Sequence, residues 1–237
     1  MAKNIISGET KEQRKARKIK EKLAKQPIQE IIQEVHISSN ESIAFVLGNG
    51  TSRTSIDPRN LKRHGKIYGC NALYRSFAPD YLIAVDTKMI KEITSAGYHL
   101  QHPVYTNPNK YSKEIYGLNL FEPNLGWSSG PSALNLASKS NYSTIYILGF
   151  DYVGIGNKNE LVNNVYAGTV NYKKINERAT YFGNWQRQTS IAIQKHPKVK
   201  YIRVIADTTS FVPDSLVGLQ NLTHITLENF KKRFNIE

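Results

Sequence analysis

Along the chain, short unbroken apolar runs alternate with longer mixed stretches. Ile43–Leu47 is the cleanest such run, and it stops at Gly48-Asn49-Gly50. A run without polar breaks suits a strand buried on both faces, as in a parallel sheet covered by helices. Lys66–Gly69, Pro79–Asp86, Thr144–Leu148 and Tyr201–Ile205 repeat the pattern, and Val104–Asn107, Leu118–Phe121 and Thr223–Leu227 do so more weakly. Between them, helical spacing predicts helices over Thr87–Ala96, from about Gly130 to Lys139, and over Glu228–Phe234. A further helix is expected over Lys173–Lys195, with an interruption near Gly183. Gly97 is a stop signal, and Pro131 stands near a first turn, where proline is tolerated. Residues 153–172 are rich in Gly, Asn and Tyr, long enough for a functional lid. Strands alternating with helices predict an α/β fold, a doubly wound and mostly parallel sheet.

Ahead of the first strand, residues 9–35 read as a basic helix whose apolar stripe strengthens from Ile19 to Val35, with a break at Pro27. The chain therefore divides into a basic helical extension, 1–38, and an α/β domain, 39–237.

Composition narrows the partners. The chain of 237 residues is 40% hydrophobic and 22% charged, enough for one domain with a sizeable core. Its net charge is +13, and residues 1–26 carry about half of that surplus. Such a balance favours polyanions, so nucleic acid is a candidate partner through the basic N-terminal arm. No window approaches a membrane span, and no secretory signal is expected. Cys70 is the single cysteine, which excludes an internal disulfide and suits a reducing, cytoplasmic setting.

In doubly wound sheets, ligands sit outside the carboxyl ends of the strands. The chemically suggestive groups all fall there. Gly48, Asn49, Gly50 and Ser52 follow the first strand, and Asn71 follows the second. Ser128, Ser129 and Gly130 open a helix, whose N-terminus favours a phosphate or carboxylate. Asp86 and Asp151 end two strands and could bind ribose, hold a metal or act as a base. Structural alternatives stand beside each: Asn71, Ser128, Ser129 and Asp86 could cap helices, and Asp151 could fix its own loop. The six histidines show no metal-ligand spacing, and surface positions are expected for most of them. No Walker loop, nucleophile elbow or acid-x-acid metal motif is present.

Phe45–Ser52, Gly69–Tyr74, Ser128–Gly130 and Ile145–Tyr152 resemble, in this order, the motifs of glycosyltransferase family 42, the bacterial sialyltransferases. With Pro79–Asp86 they also resemble the DUF115 domain, related to archaeal 6-hydroxymethylpterin pyrophosphokinases, and the chain looks like tailed-phage proteins with an Asn-Asn-Val-Tyr-Ala-Gly-Thr loop. The resemblance spans about residues 42–205. It implies a Rossmann-like domain with a lid, a CMP-type nucleotide-sugar donor, no metal and a homo-oligomer; a phage origin would place the chain in the host cytoplasm. It implies Asn49, Gly50, Ser52 and Asn71 at the nucleotide, Asp151 near it, Ser129 and Gly130 near the phosphate or sugar, and Tyr166 and Tyr181 as phosphate ligands. One departure matters. Where that family keeps a histidine base, this chain reads Tyr181-Phe182-Gly183-Asn184. A neutral amide takes no proton at pH 7, so Asp86 or Asp151 would supply the base. Two other readings stay open: an inactive transferase fold serving as a nucleic-acid-binding or virion-associated protein, and an ATP-dependent pyrophosphokinase-like enzyme using Mg²⁺ through Asp86.

Overall fold

A computed structural model describes residues 41–236 and positions 10, 14 and 18. Apart from those three positions, the basic extension expected over 1–38 lies outside the described residues, as does the helical stripe from Ile19 to Val35.

The strands are β1 (Ile43–Leu47), β2 (Lys66–Cys70), β3 (Tyr81–Ile83), β4 (Val104–Thr106), β5 (Leu118–Leu120), β6 (Thr144–Leu148), β7 (Lys200–Ile205) and β8 (Leu222–Thr226). The helices are α1 (Thr87–Ser95), α2 (Lys110–Lys113), α3 (Ser129–Ser138), α4 (Gly183–Lys195) and α5 (Leu227–Phe234). They build one sheet in the order β5-β4-β3-β2-β1-β6-β7-β8. Every pairing in it is parallel, as the doubly wound reading required.

The unbroken run of β1 has a direct cause. Successive residues of a strand point to opposite faces, and both faces are covered. Ala44 and Val46 enter a core with Ala133, Leu134 and Ala137 of α3 and with Ala192 and Ile193 of α4. Ile43, Phe45 and Leu47 enter the opposite core with Leu61 and with Phe230 and Phe234 of α5. Phe45 stacks on Tyr146 at 5.6 Å and meets the Phe234 ring edge-on at 5.2 Å. A third core joins Leu82, Ala84 and Val104 to Met89, Ile90 and Ile93 of α1.

The chain winds outward from β1 to β5, then crosses back to place β6 on the free side of β1. In-register pairing from Ile43 with Thr144 to Leu47 with Leu148 brings the two strand ends level. The crevice there is the topological switch point.

Helix α2 was not expected, and two boundaries differ from the sequence reading by more than one residue. The helix expected from Lys173 begins only at Gly183, because 173–182 returns along the lid. Val162 N–H donates to the Glu177 carbonyl at 3.0 Å, Ala179 N–H donates to the Glu160 carbonyl at 2.7 Å, and Leu161 bridges Arg178. The third strand is shorter than Pro79–Asp86, since pairing with β2 and β4 covers only Tyr81–Ile83. Among the described residues no helix is long and apolar enough to cross a membrane.

Candidate active site

The loops after β1 and β6 interlock. Gly48 N–H donates to the Leu148 carbonyl and Gly50 N–H to the Gly149 carbonyl, both at 2.8 Å. A Cβ on Gly48 would stand 2.6 Å from the Gly149 oxygen, and one on Gly50 would stand 2.5 Å from the Asp151 carboxylate. These contacts explain the glycines. Thr51 N–H donates to Asn163 Oδ1 at 2.8 Å and Ser52 N–H to Asp151 Oδ2 at 3.1 Å, so the amides of Gly48, Gly50, Thr51 and Ser52 are all bonded within the protein.

Asp151 fixes this junction. Its carboxylate accepts from the Ser52 amide and hydroxyl and from Asn163 Nδ2. Asn163 Oδ1 in turn accepts from the amide and hydroxyl of Thr51. Two arginines back the same loops. Arg53 is 7% exposed and donates to the Gly48 carbonyl and the Tyr166 hydroxyl. Arg203 is 3% exposed and donates to the carbonyls of Phe150 (2.9 Å), Asp151 (3.3 Å) and Phe211 (3.0 Å). Neither has a salt-bridge partner among the described residues. Burial pushes the Arg203 pKa down from its ordinary value, with Tyr152 and Asp151 opposing. An arginine nonetheless keeps its charge in proteins. Two buried cations held by carbonyl dipoles therefore stand behind the switch point, and they favour an anion in front of it.

A second junction forms across β2, β3 and α3. Val85 N–H donates to Ser129 Oγ at 3.1 Å, and Ser129 Oγ donates to Asn71 Oδ1 at 2.8 Å. Asn71 therefore caps no helix. Its backbone is left-handed, with φ at 53°, and its Nδ2 has no partner among the described residues. The first intrahelical bond of α3 runs from Ser132 N–H to the Ser128 carbonyl, and Pro131 lacks an N–H. The amides of Ser129 and Gly130 are left as the free donors of that first turn. Ser128 sits at the cap position without a side-chain capping bond, and its N–H donates to Gln188 at 3.0 Å. Asp86 precedes α1 and makes no capping bond either. Its carboxylate is free among the described residues.

Both junctions open on one cleft of about 480 Å³. Gly48, Asn49, Gly50, Asn71, Asp86, Ser128, Ser129, Gly130 and Asp151 all line it. Three other expected contacts do not. The Ser52 side chain is turned back onto Asp151, Tyr166 packs in the α1 core against Tyr172, and Tyr181 is 78% exposed outside the cleft. Tyr152 is joined in the cleft by aromatic walls that went unread in the sequence: Phe150, Tyr172, Phe182 and Trp185. Phe150, like Tyr152, follows a strand end, which is the signal that could have found it. Asn49 Oδ1 is buried with no hydrogen-bond partner, an unused acceptor at the cleft wall. Cys70 also lines the cleft, but burial pushes its thiol up to about 12, so it stays protonated and unreactive.

Among the described residues no histidine lines the cleft. His64, His99, His102 and His196 are half-buried. His224, expected at the surface, is 2% exposed, and burial with the nearby Arg203 charge lowers it to about 3. His36 lies outside the described residues. Among the described residues no three His, Cys, Asp or Glu side chains cluster as a metal site.

The lid, Val153–Phe182, closes over the cleft. Val165 N–H donates to the Asn49 carbonyl at 2.9 Å, and the Tyr172 hydroxyl accepts from Ala72 N–H at 3.3 Å. Its far end is latched by Arg75, which donates to both oxygens of Glu92, to Thr169 and to the Val170 carbonyl. Asn171 and Tyr74 donate to Glu92 as well. The Arg75 hydrogen bonds, helped by Tyr74 and Asn171, hold the Glu92 carboxyl down at about 2 from its ordinary 4.5, against the effect of burial.

Fold and site together define a doubly wound α/β domain with a switch-point cleft under a lid. No protein-family model matches the chain, and neither does any curated protein. Among solved structures it is similar to the monofunctional alpha-2,3-sialyltransferase Cst-I from Campylobacter jejuni, with 14% identity and a TM-score of 0.49. The alignment covers 86% of this chain and 97% of that one. At that identity and score the likeness assigns no residue a role.

Proposed function

We propose that the protein is a glycosyltransferase-like transferase that binds a nucleotide-activated sugar, CMP-type by resemblance, across the β1–β6 switch point. One observation carries the reading: nine residues scattered from Gly48 to Asp151 in sequence, six at strand ends and three at the start of α3, line a single cleft of about 480 Å³. The aromatic walls suit a base or sugar ring. Asn49 Oδ1 and Asn71 Nδ2 are an unpaired acceptor and donor for a base or ribose. The Ser129 and Gly130 amides, with Arg53 and Arg203 behind the loops, suit the phosphate and the charge it gains on leaving.

In the step we propose, an acceptor hydroxyl oxygen bonds to the anomeric carbon of the donor. The bond from that carbon to the phosphate oxygen breaks, and the electron pair leaves with the nucleotide. Asp86 takes the hydroxyl proton. Asp151 has its carboxylate fully engaged by Ser52 and Asn163, which leaves Asp86 as the free acid of the cleft. A carboxylate is ionised at neutral pH and can act as a base.

Thermal denaturation with the CMP, CDP, UDP, GDP and ADP series, free and sugar-linked, tests this reading. Binding at about 100 times Kd stabilises the fold by about 2.7 kcal/mol. If no nucleotide moves the midpoint at millimolar concentration, the proposal is wrong.

The charge of +13 motivates a second reading, in which residues 1–26 hold nucleic acid, either as the acceptor or as the sole ligand. Binding to DNA should then weaken steeply with salt and on deleting that segment.

A further inference from the structure

A second cavity, about 340 Å³, opens beside the first. The two share Asn71, Asp86, Asn171 and Tyr172, so Asp86 stands on the wall between them. The rest of the second cavity is the first turn of α1, Thr87, Lys88 and Met89. The first intrahelical bond runs from Ile90 N–H to the Asp86 carbonyl at 3.0 Å, and no side chain caps the helix. The amides of residues 87 to 89 therefore lack intrahelical partners. Lys88 is exposed and makes no ion pair among the described residues.

We infer that this second cavity is the acceptor subsite, and that it takes a sugar hydroxyl whose own molecule carries a carboxylate or phosphate. The inference rests on the proposed donor site in the first cavity. A base for group transfer must touch both substrates, and Asp86 is the acidic side chain common to both cavities. The hydroxyl meets Asp86 at the shared wall. The anionic group meets Lys88 and the helix amides on the far side, where an ammonium and a helix N-terminus both favour negative charge. Charge at Lys88, which lines the second cavity and not the first, thus sets which acceptor binds.

Saturation-transfer NMR with glucose, glucuronate and glucose 6-phosphate, run with and without the nucleotide that shifts the melting midpoint, tests the assignment. Glucuronate and glucose 6-phosphate should bind and glucose should not; a preference between the two separates a carboxylate from a phosphate site. Lys88→Glu should weaken both anionic sugars at least tenfold, Lys88→Arg should keep them, and all three proteins should show the same nucleotide shift. Equal binding of glucose, absence of anionic-sugar binding, or binding that survives Lys88→Glu overturns the acceptor subsite while the nucleotide shift keeps the donor reading. Absence of any nucleotide shift overturns both.

Discussion

The loops after β3 and β6 each deliver an aspartate to the same cleft, and the two acids have opposite fates. Asp151 accepts from Ser52 and Asn163 and sits 2.5 Å from where a Gly50 Cβ would be. Asp86 accepts nothing among the described residues, not even from the helix it precedes. The difference comes from the neighbours. β6 adjoins β1, so its loop is packed against another strand-end loop and against the lid. β3 adjoins β2 and β4, and the nearby Asn71 and Ser129 side chains bond to each other and to the Val85 amide, not to Asp86. A carboxylate saturated with donors is a structural joint, and one left unsaturated at a cleft is available for chemistry.

The largest effect is expected at Asp86. Asp86→Asn should slow transfer by about 10²–10⁴-fold, or roughly 3–5 kcal/mol on the barrier, measured as donor consumption with the nucleotide that binds. Its melting midpoint should stay within about 1 °C of the parent, because the carboxylate holds nothing else in place. Asp151→Ala should do the reverse. It removes three hydrogen bonds to a charged acceptor and should cost about 2–3 kcal/mol of stability, seen as a fall of roughly 5–10 °C in Tm. If Asp151→Ala keeps its Tm and loses only turnover, the two roles are exchanged and the comparison is broken.

A smaller effect sharpens the contrast between rigid joint and movable lid. The Glu92 carboxyl is held at about 2 in the fold against 4.5 in the open chain. A depressed acid contributes its stability above about pH 4.5 and loses it as pH falls toward 2. Glu92→Gln should therefore flatten the acid limb of lid protection, followed by hydrogen exchange at Thr169–Tyr172, and cost about 1 kcal/mol near neutral pH. An unchanged acid limb would show that the Arg75–Glu92 latch does not hold the lid.

Much of the fold was legible because burial on two faces writes itself into a strand as an unbroken apolar run. Ile43–Leu47 and Thr144–Leu148 were bounded correctly for that reason. The return segment 173–182 reads as helix because Lys173, Lys174, Glu177, Arg178 and Ala179 favour a helix locally, while the backbone bonds to Glu160 and Val162 that override this are long-range. The candidate site was legible as a set of strand ends, and nine of its residues do meet. Which of them are free was not legible. Ser52 and Asp151 pair across 99 positions of sequence, and no local pattern encodes that pairing.

By itself, then, the sequence determined the strands, their parallel arrangement and the edge of the sheet where ligands belong, because alternation and glycine placement are local properties. Only the tertiary structure decided that the Gly48–Ser52 amides close on the protein itself, that Arg53 and Arg203 lie buried behind the cleft, and that Asp86 rather than Asp151 is the acid left open. Hydrogen-bond saturation is a property of neighbours in space, and the strand order that makes neighbours of β1 and β6 is set by the whole sheet.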